Sequence, residues 1–132
     1  MYENLSKKII KKHDVGHEVS VDDIENMEAD LNVKFGDEYK KFLHKFGNLS
    51  IGHLEFYGYA ENNNAIPSAI YATKNAREDY KDFPSNLVVF YDIGDGSFYA
   101  VDEKDNVYFC QYGECKKENI SFKNFLHEQI NE

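Results

Sequence analysis

Apolar side chains recur every three or four residues along several stretches of the chain, the spacing that gathers them on one face of a helix. A helix is expected from Tyr2 to about Lys12, and the next begins after Ser20, whose hydroxyl can cap it. Two later helices are expected after Ser68 and Ser121. The apolar positions of the predicted helices are Tyr2, Leu5, Ile9; Ile24, Met27, Leu31; Tyr39, Phe42, Leu43, Phe46; Ala69, Ala72, Ala76, Tyr80; and Phe122, Phe125, Leu126, Ile130.

The remaining apolar segments are short and rich in β-branched and aromatic residues, which is typical of strands. The stretch from Leu49 to Tyr59, broken by two glycines, predicts one or two strands. Three further strands are expected at Leu87 to Ile93, Phe98 to Asp102 and Val107 to Tyr112. Short turns rich in Gly, Asp and Asn separate them, which predicts an antiparallel meander.

This order of elements predicts an α+β fold. An antiparallel sheet would carry the N-terminal helices, an inserted helix and a C-terminal helix, all covering one face. Residues 1–132 are expected to form one domain, since a single core typically organises about 100 to 150 residues.

The chain is aromatic and acidic. Hydrophobic residues make up 42% of it, with 10 Tyr and 10 Phe, which is ample material for a core. Fifteen Lys and Arg against 24 Asp and Glu give a net charge of −9. Such a field repels phosphate backbones, which argues against direct nucleic-acid binding, and it attracts basic proteins. Solubility alone would account for the same charge equally well.

Nothing in the sequence predicts a membrane or secretory segment. Residues 1–12 carry charge every few positions and lack the apolar core of a signal peptide. The longest apolar run, Leu87 to Tyr91, is far shorter than the roughly 20 residues that cross a bilayer. A cytoplasmic protein without membrane contact is expected. One cluster of basic residues is present and consists of Lys7, Lys8, Lys11 and Lys12. Such a cluster on a short helix is typical of a solvated face.

The residues that could carry chemistry have simpler interpretations. Cys110 and Cys115 are too few for a disulfide framework and are expected to be reduced and partly buried; Cys110 as a nucleophile is disfavoured. His13 and His17 have a zinc-compatible spacing, but Gly16 interrupts them and no third ligand is evident. No catalytic residue, metal or cofactor is predicted.

Four aspartates, Asp92, Asp95, Asp102 and Asp105, lie around two turns of the predicted meander. A hard-cation site is conceivable there, but turns favour Asp for backbone reasons, and that interpretation is preferred.

Several short motifs in a fixed order resemble the SUKH superfamily, which includes fungal cell-wall regulators of the Smi/Knr type and bacterial immunity proteins. The resemblance covers roughly residues 20 to 130. The motifs are Ile24 to Phe35, Asp37 to Leu43, Phe46-Gly47-Asn48, Leu54 to Tyr59, Asn86 to Phe90, and Asp92 to Ser97 with its Gly-Asp-Gly-Ser turn. The chain departs from the family in having no Trp, and in Phe35-Gly36 where a Leu-Pro pair is usual. Glycine lacks the fixed φ of proline, which predicts a looser start to the following helix.

The resemblance implies a non-enzymatic immunity protein that binds and blocks a co-encoded toxin, often a nuclease. The acidic charge agrees with a basic toxin as partner. A regulatory adaptor of signalling or cell-wall factors is the alternative, and a small hydrolase or metal enzyme using Cys110 or the histidines is a third. The state could be a monomer or, through free strand edges, a homodimer.

Candidate partner-binding residues lie on two segments. Strand alternation places Phe56 in the core and leaves Tyr57 and Tyr59 partly exposed, where tyrosines make good contact residues. The loop after the first long strand of the meander would display its polar groups to a partner. The predicted contact residues are Glu55, Tyr57, Tyr59, Glu61, Asp92, Asp95 and Ser97.

Overall fold

A computed structural model describes residue 16 and residues 18–131 of the chain. The predicted first helix and the pair His13 and His17 lie outside the described residues.

The remaining predicted helices are confirmed. They are α1 (Val21–Leu31), α2 (Asp37–Phe46), α3 (Ala69–Asp79) and α4 (Phe122–Asn131). Serine caps three of them as expected: Ser20 accepts a hydrogen bond from the amide of Asp23, Ser68 from Tyr71, and Ser121 from Asn124. None of the described helices is long and apolar enough to cross a membrane.

The strands form two antiparallel sheets. A hairpin contains β1 (Leu49–Ile51) and β2 (Leu54–Phe56), and a second sheet contains β3 (Val88–Gly94), β4 (Ser97–Val101), β5 (Asn106–Gln111) and β6 (Glu114–Ser121) in sequential order. The predicted meander is therefore confirmed. β6 was not predicted, because its sequence is mostly polar and only its pairing with β5 makes it a strand.

Helices lie on both faces of the four-stranded sheet. Neighbouring residues of a strand point to opposite faces. On β4, Phe98 contacts the ring of Phe83, just beyond α3, at 5.7 Å between centroids, whereas Tyr99 contacts Phe125 of α4 at 4.6 Å. The expectation that all helices cover one face was wrong, because the order of elements does not determine over which face a connection passes.

Buried aromatic rings join α2, β3 and α4 into the core. The ring of Phe122 lies edge-on to those of Tyr39, Phe42 and Phe90, with centroids 5.1, 5.3 and 5.0 Å apart. All four side chains are fully buried. The buried hydroxyl of Tyr39 donates to the carbonyl of Tyr57 at 2.9 Å, so the core has no unsatisfied group at that ring.

Cys110 and Cys115 are joined by a disulfide, so the expectation of reduced thiols was wrong. They are directly opposed across the β5–β6 hairpin. The turn consists of Tyr112 and Gly113, both with positive φ, which is the geometry of a tight two-residue hairpin. The disulfide was not predicted because it depends on the pairing of β5 with β6, a strand that the sequence did not indicate.

The start of α2 is capped by a side chain distant in sequence. The carboxylate of Asp105, in the β4–β5 turn, accepts from the amides of Glu38 at 2.9 Å and Tyr39 at 3.1 Å. A Cβ at Gly36 would overlap this carboxylate. The glycine that predicted a loose helix start instead makes room for the cap.

Candidate protein-binding cleft

A cleft of about 260 Å³ lies between α3 and the sheet face that carries Phe98. Small residues of the helix, Ala72 and Ala76, face it and leave space between the backbone elements. The side chains that give the cleft its chemical character are Tyr57, Ile66, Tyr71, Asp79, Tyr80 and Asp92. It is therefore an aromatic cleft with carboxylates and an apolar rim.

Hydrogen bonds fix both walls of the cleft. The hydroxyl of Thr73 on α3 accepts from the amide of Val89 on β3 at 3.0 Å, in the buried interior. At the beginning of α3, the amide of Ala69 donates to the carbonyl of Gly58 at 2.8 Å. The helix is thereby held to β3 and to the segment after β2, so the cleft is preformed rather than created by a partner.

Tyr57 lies at the back of the cleft. Its amide donates to Phe90 of β3 at 2.7 Å, which pins the residue to the sheet, and its side chain is only 6% exposed. The hydroxyl makes no hydrogen bond to any described residue. Burial, followed by the nearby carboxylates of Asp92 and Glu55, raises the pKa of Tyr57 to about 12. The phenol therefore stays protonated at physiological pH and can both donate and accept.

The cleft has charge of one sign. Asp79 at the end of α3 and Asp92 on β3 are exposed carboxylates that line it, and no Lys or Arg within residues 18–131 does. Its lining thus favours a cation.

A larger groove of about 900 Å³ beside α1 and α2 is less selective. Its charged lining residues have both signs: Glu25, Glu28, Glu103, Lys34, Lys40 and Lys41. Glu28 and Lys40 already pair with each other at 3.8 Å. Despite its greater volume, this groove presents no single chemistry to a partner, and we favour the smaller cleft as the site.

The turn residues at one end of the sheet support the cleft wall. The amide of Tyr112 donates to the carbonyl of Gly96 at 2.9 Å. Both glycines of these turns are in close contact with tyrosines: a Cβ at Gly96 would overlap the Tyr112 ring, and a Cβ at Gly113 would overlap Tyr80. The β3–β4 and β5–β6 turns therefore pack closely against each other, which only glycine allows at Gly96. This arrangement leaves Tyr112 67% exposed next to the cleft, where Ile66 on the rim is 52% exposed.

The structure brings two of the predicted contact residues, Tyr57 and Asp92, together in this cleft. Tyr57 is buried rather than partly exposed, because its backbone is bonded to β3 and its side chain lies in the recess between the sheet and α3. Phe56 is fully buried, as predicted, and stacks on Tyr91. Glu55 is half-buried, and the charge of its carboxylate contributes to the raised pKa of Tyr57.

The other predicted contact residues lie outside the cleft lining. Ser97 is buried and its hydroxyl accepts from the side chain of Gln111 at 3.3 Å, so it is not displayed as expected. Asp95 is exposed in the β3–β4 turn with a φ of 55°, and Glu61 is exposed in the loop after β2. Tyr59 is half-buried and its carbonyl accepts from the side chain of Asn48 at 2.9 Å.

Sequence reasoning missed the half of the cleft contributed by α3 and its flanks, namely Ile66, Tyr71, Asp79 and Tyr80. Tyr80 was placed on the apolar stripe of the predicted helix. The period of a helix shows which residues share a face, but it does not show which sheet face the helix covers. The sequence therefore did not predict that Tyr71 and Asp79 lie beside Tyr57 and Asp92.

The remaining candidate chemistry has structural roles. The carboxylate of Asp102 accepts from the amides of Lys104 and Asn106, both at 2.9 Å, and from the hydroxyl of Tyr108 at 3.1 Å. Burial acts to raise the pKa of Asp102, but hydrogen bonds from Asn106, Lys104 and Tyr108 outweigh it and hold the pKa below its usual value. Among the described residues no group of His, Cys, Asp and Glu side chains is arranged to hold a metal ion.

The fold and the cleft together define a small α+β protein with a preformed acidic recess. The chain belongs to the SUKH family: the SUKH_5 family model, described as SMI1-KNR4 cell-wall, matches residues 2–131. No curated protein matches the chain.

Proposed function

We propose that the protein is an immunity protein that binds a co-encoded bacterial toxin in the cytoplasm and neutralises it by stoichiometric contact. The observation that carries this proposal is the cleft of Tyr57, Asp79 and Asp92, which has negative charge, aromatic walls and no basic residue among its described lining. Membership of the SUKH family and the net charge of −9 support it.

The proposed inhibition is electrostatic and steric. A nuclease toxin holds its substrate through Lys and Arg side chains on phosphates, so its binding surface is basic. An acidic protein competes for that surface, and long-range attraction speeds the encounter. The buried centre of such an interface requires a few well-packed anchors, for which aromatic clefts are suited.

A binding role rather than catalysis is supported by what the reactive side chains do. Cys110 and Cys115 are bonded to each other, which leaves no thiolate nucleophile. Asp102 and Asp105 hold a turn and cap a helix. These side chains are engaged within the fold rather than oriented toward a substrate.

Co-expression with the C-terminal domain of a large toxin, taken from a gene directly beside that of this protein, tests the proposal. We expect restored growth and co-purification in a one-to-one complex. A catalytically inactive toxin in the same vector provides the binding control without toxicity. A toxin that stays lethal and does not bind would reject the immunity role.

A regulatory adaptor is the second candidate, favoured by the cell-wall description of the matching family model. Gene position separates the two candidates, since an immunity gene lies directly beside a large toxin gene. Capture of several cell-wall or signalling factors by the purified protein, together with an absent toxin neighbour, would favour the adaptor.

A further inference from the structure

We propose that the cleft between α3 and β3 receives one basic side chain of the partner, arginine in preference to lysine, as the anchor of the interface. This inference rests on the proposed function, and it specifies the chemistry of the partner that the cleft recognises.

The size of the cleft fits a side chain better than a small-molecule ligand. Pockets for cofactors and drug-sized ligands have volumes of roughly 300 to 1,000 Å³ and enclose most of the ligand. The cleft has a volume of about 260 Å³ and is open at the rim formed by Ile66. A single long side chain that enters from a partner surface would fill it.

The charges of the cleft specify a cation. Asp79 and Asp92 approach from different walls, one from the helix and one from the strand, and in the part of the chain that the structure describes no basic lining residue compensates them. Both are exposed in the free protein, so they are hydrated before binding and lose water when a partner covers them. A cation placed between the two carboxylates would replace the lost water as their partner.

The tyrosines make arginine the better fit. The side chain of Tyr57 is buried at the back of the cleft, and its hydroxyl lacks a partner among the described residues, so it is available to accept an N–H. Tyr71 and Tyr80 add aromatic surface to the walls. A guanidinium is planar, stacks on aromatic rings and offers N–H groups in several directions, whereas an ammonium is more strongly hydrated.

The surroundings match the organisation of an interface hot spot. Anchors are typically Arg, Tyr or Trp side chains in a pocket that near-neutral contacts shield from water. Here the exposed side chains of Ile66, on the rim, and Tyr112, beside Gly96, would provide that shielding ring.

The test is a titration of the ¹⁵N-labelled full chain with the capped peptide acetyl-Gly-Arg-Gly-amide, followed by NMR. The matched peptide has citrulline in place of arginine, which keeps the shape and removes the charge. We expect saturable shifts at the amides around Asp79, Tyr80 and Asp92 with the arginine peptide and none with citrulline. Equal shifts with both peptides, or shifts confined to another surface, would overturn the proposal.

Variants locate the effect. Asp92→Asn keeps an oxygen for the amide of Gly94, which Asp92 now bonds at 2.7 Å, so the turn should be retained. We expect it to weaken the arginine peptide about threefold to fivefold, and Tyr57→Phe to weaken it about twofold. Glu128→Gln removes one exposed charge on α4, which covers the opposite face of the sheet, and should have no effect. Equal weakening by Asp92→Asn and Glu128→Gln would show a general charge effect and overturn the proposal.

The toxin itself separates this inference from the proposed function. If wild-type protein rescues growth and Asp92→Asn weakens toxin binding about tenfold or more, both stand. If wild type rescues growth but Asp92→Asn and Tyr57→Phe bind the toxin normally, the immunity role stands and the anchor is rejected. If no toxin is bound but the arginine peptide still selects the cleft over citrulline, the cleft chemistry stands and the partner is of another kind.

Discussion

Asp105 connects three parts of the fold through one residue. Its carboxylate caps α2 at the amides of Glu38 and Tyr39, and its carbonyl accepts from the amide of Phe122 at 2.9 Å, at the start of α4. Glu38 in turn accepts from the amide of Lys123 at 2.7 Å. The β4–β5 turn thereby positions both helices that enclose the aromatic core.

Asp105→Ala should lower the free energy of unfolding by about 2 kcal/mol or more, because it removes a helix cap and leaves the buried amide of Tyr39 and the partly buried amide of Glu38 without an acceptor. Urea denaturation measures this. Glu103→Ala changes an exposed residue of the same turn and should stay within about 0.5 kcal/mol of wild type. Similar values for both variants would contradict the capping role.

The same carboxyl should give stability a distinctive pH dependence. Burial of Asp105 raises its pKa, the amides of Glu38 and Tyr39 oppose that effect, and the carboxylates of Glu38 and Asp37 add to it. A raised pKa means that the folded state holds the proton more tightly than the unfolded state. The contribution is therefore fully present below the unfolded pKa and is lost as pH rises through the folded pKa.

Relative to Asp105→Asn, which does not titrate, wild type should gain stability as the solution is acidified. Denaturation of both proteins between about pH 3 and pH 7 checks this. The stability of wild type minus that of the variant should be largest at the acid end. A difference that grows with rising pH would show that the folded state prefers the ionised form and would reject the assigned direction.

At the scale of elements, the β5–β6 hairpin contains a disulfide and packs its turn against residues that line the cleft. The disulfide joins the two strands next to the Tyr112-Gly113 turn. That turn contacts Gly96 and Tyr80, which line the cleft. The hairpin therefore braces the wall from which Asp92 extends.

Opening the disulfide should lower the free energy of unfolding by about 2 kcal/mol, the chain-entropy value for a short closed loop. Thermal unfolding with and without reductant measures the effect. Cys115→Ser should already have the lower melting temperature and should not respond to reductant. A wild type that melts identically in both conditions, with free thiols verified after reduction, would show that the hairpin turn and its glycine contacts suffice.

At the scale of the whole molecule, charge is distributed unevenly. The net charge is −9, yet the groove beside α1 and α2 combines both signs, while the charged groups that line the cleft by α3 are, among the described residues, all carboxylates. A basic partner is attracted by the total charge from a distance and is oriented by the local charge at contact.

Binding to the proposed toxin should weaken as salt rises from about 0.1 M to 1 M, because screening shortens the reach of these charges. Asp79→Asn combined with Asp92→Asn should lower both the affinity and the salt dependence. Calorimetry or surface binding at several salt concentrations provides the data, with Glu128→Gln as the single-charge control. An affinity independent of salt would contradict the electrostatic part of the proposal.

Local structure could be predicted from the sequence alone. Apolar period and serine caps located α1 to α4, and turn residues located the β3–β5 meander, because these signals act between residues close in the chain. The motif order also indicated the family, which the match over residues 2–131 confirms.

Features that depend on contacts between distant segments emerged only in three dimensions. These include the polar strand β6, the Cys110–Cys115 bond, the cap of α2 by Asp105, and the placement of α3 and α4 on opposite sheet faces. The cleft follows from that placement, since it joins Tyr57 and Asp92 to Tyr71 and Asp79 of α3 and to Tyr80 just after that helix. Periodicity fixes which side chains share a face, and only tertiary packing fixes which faces meet.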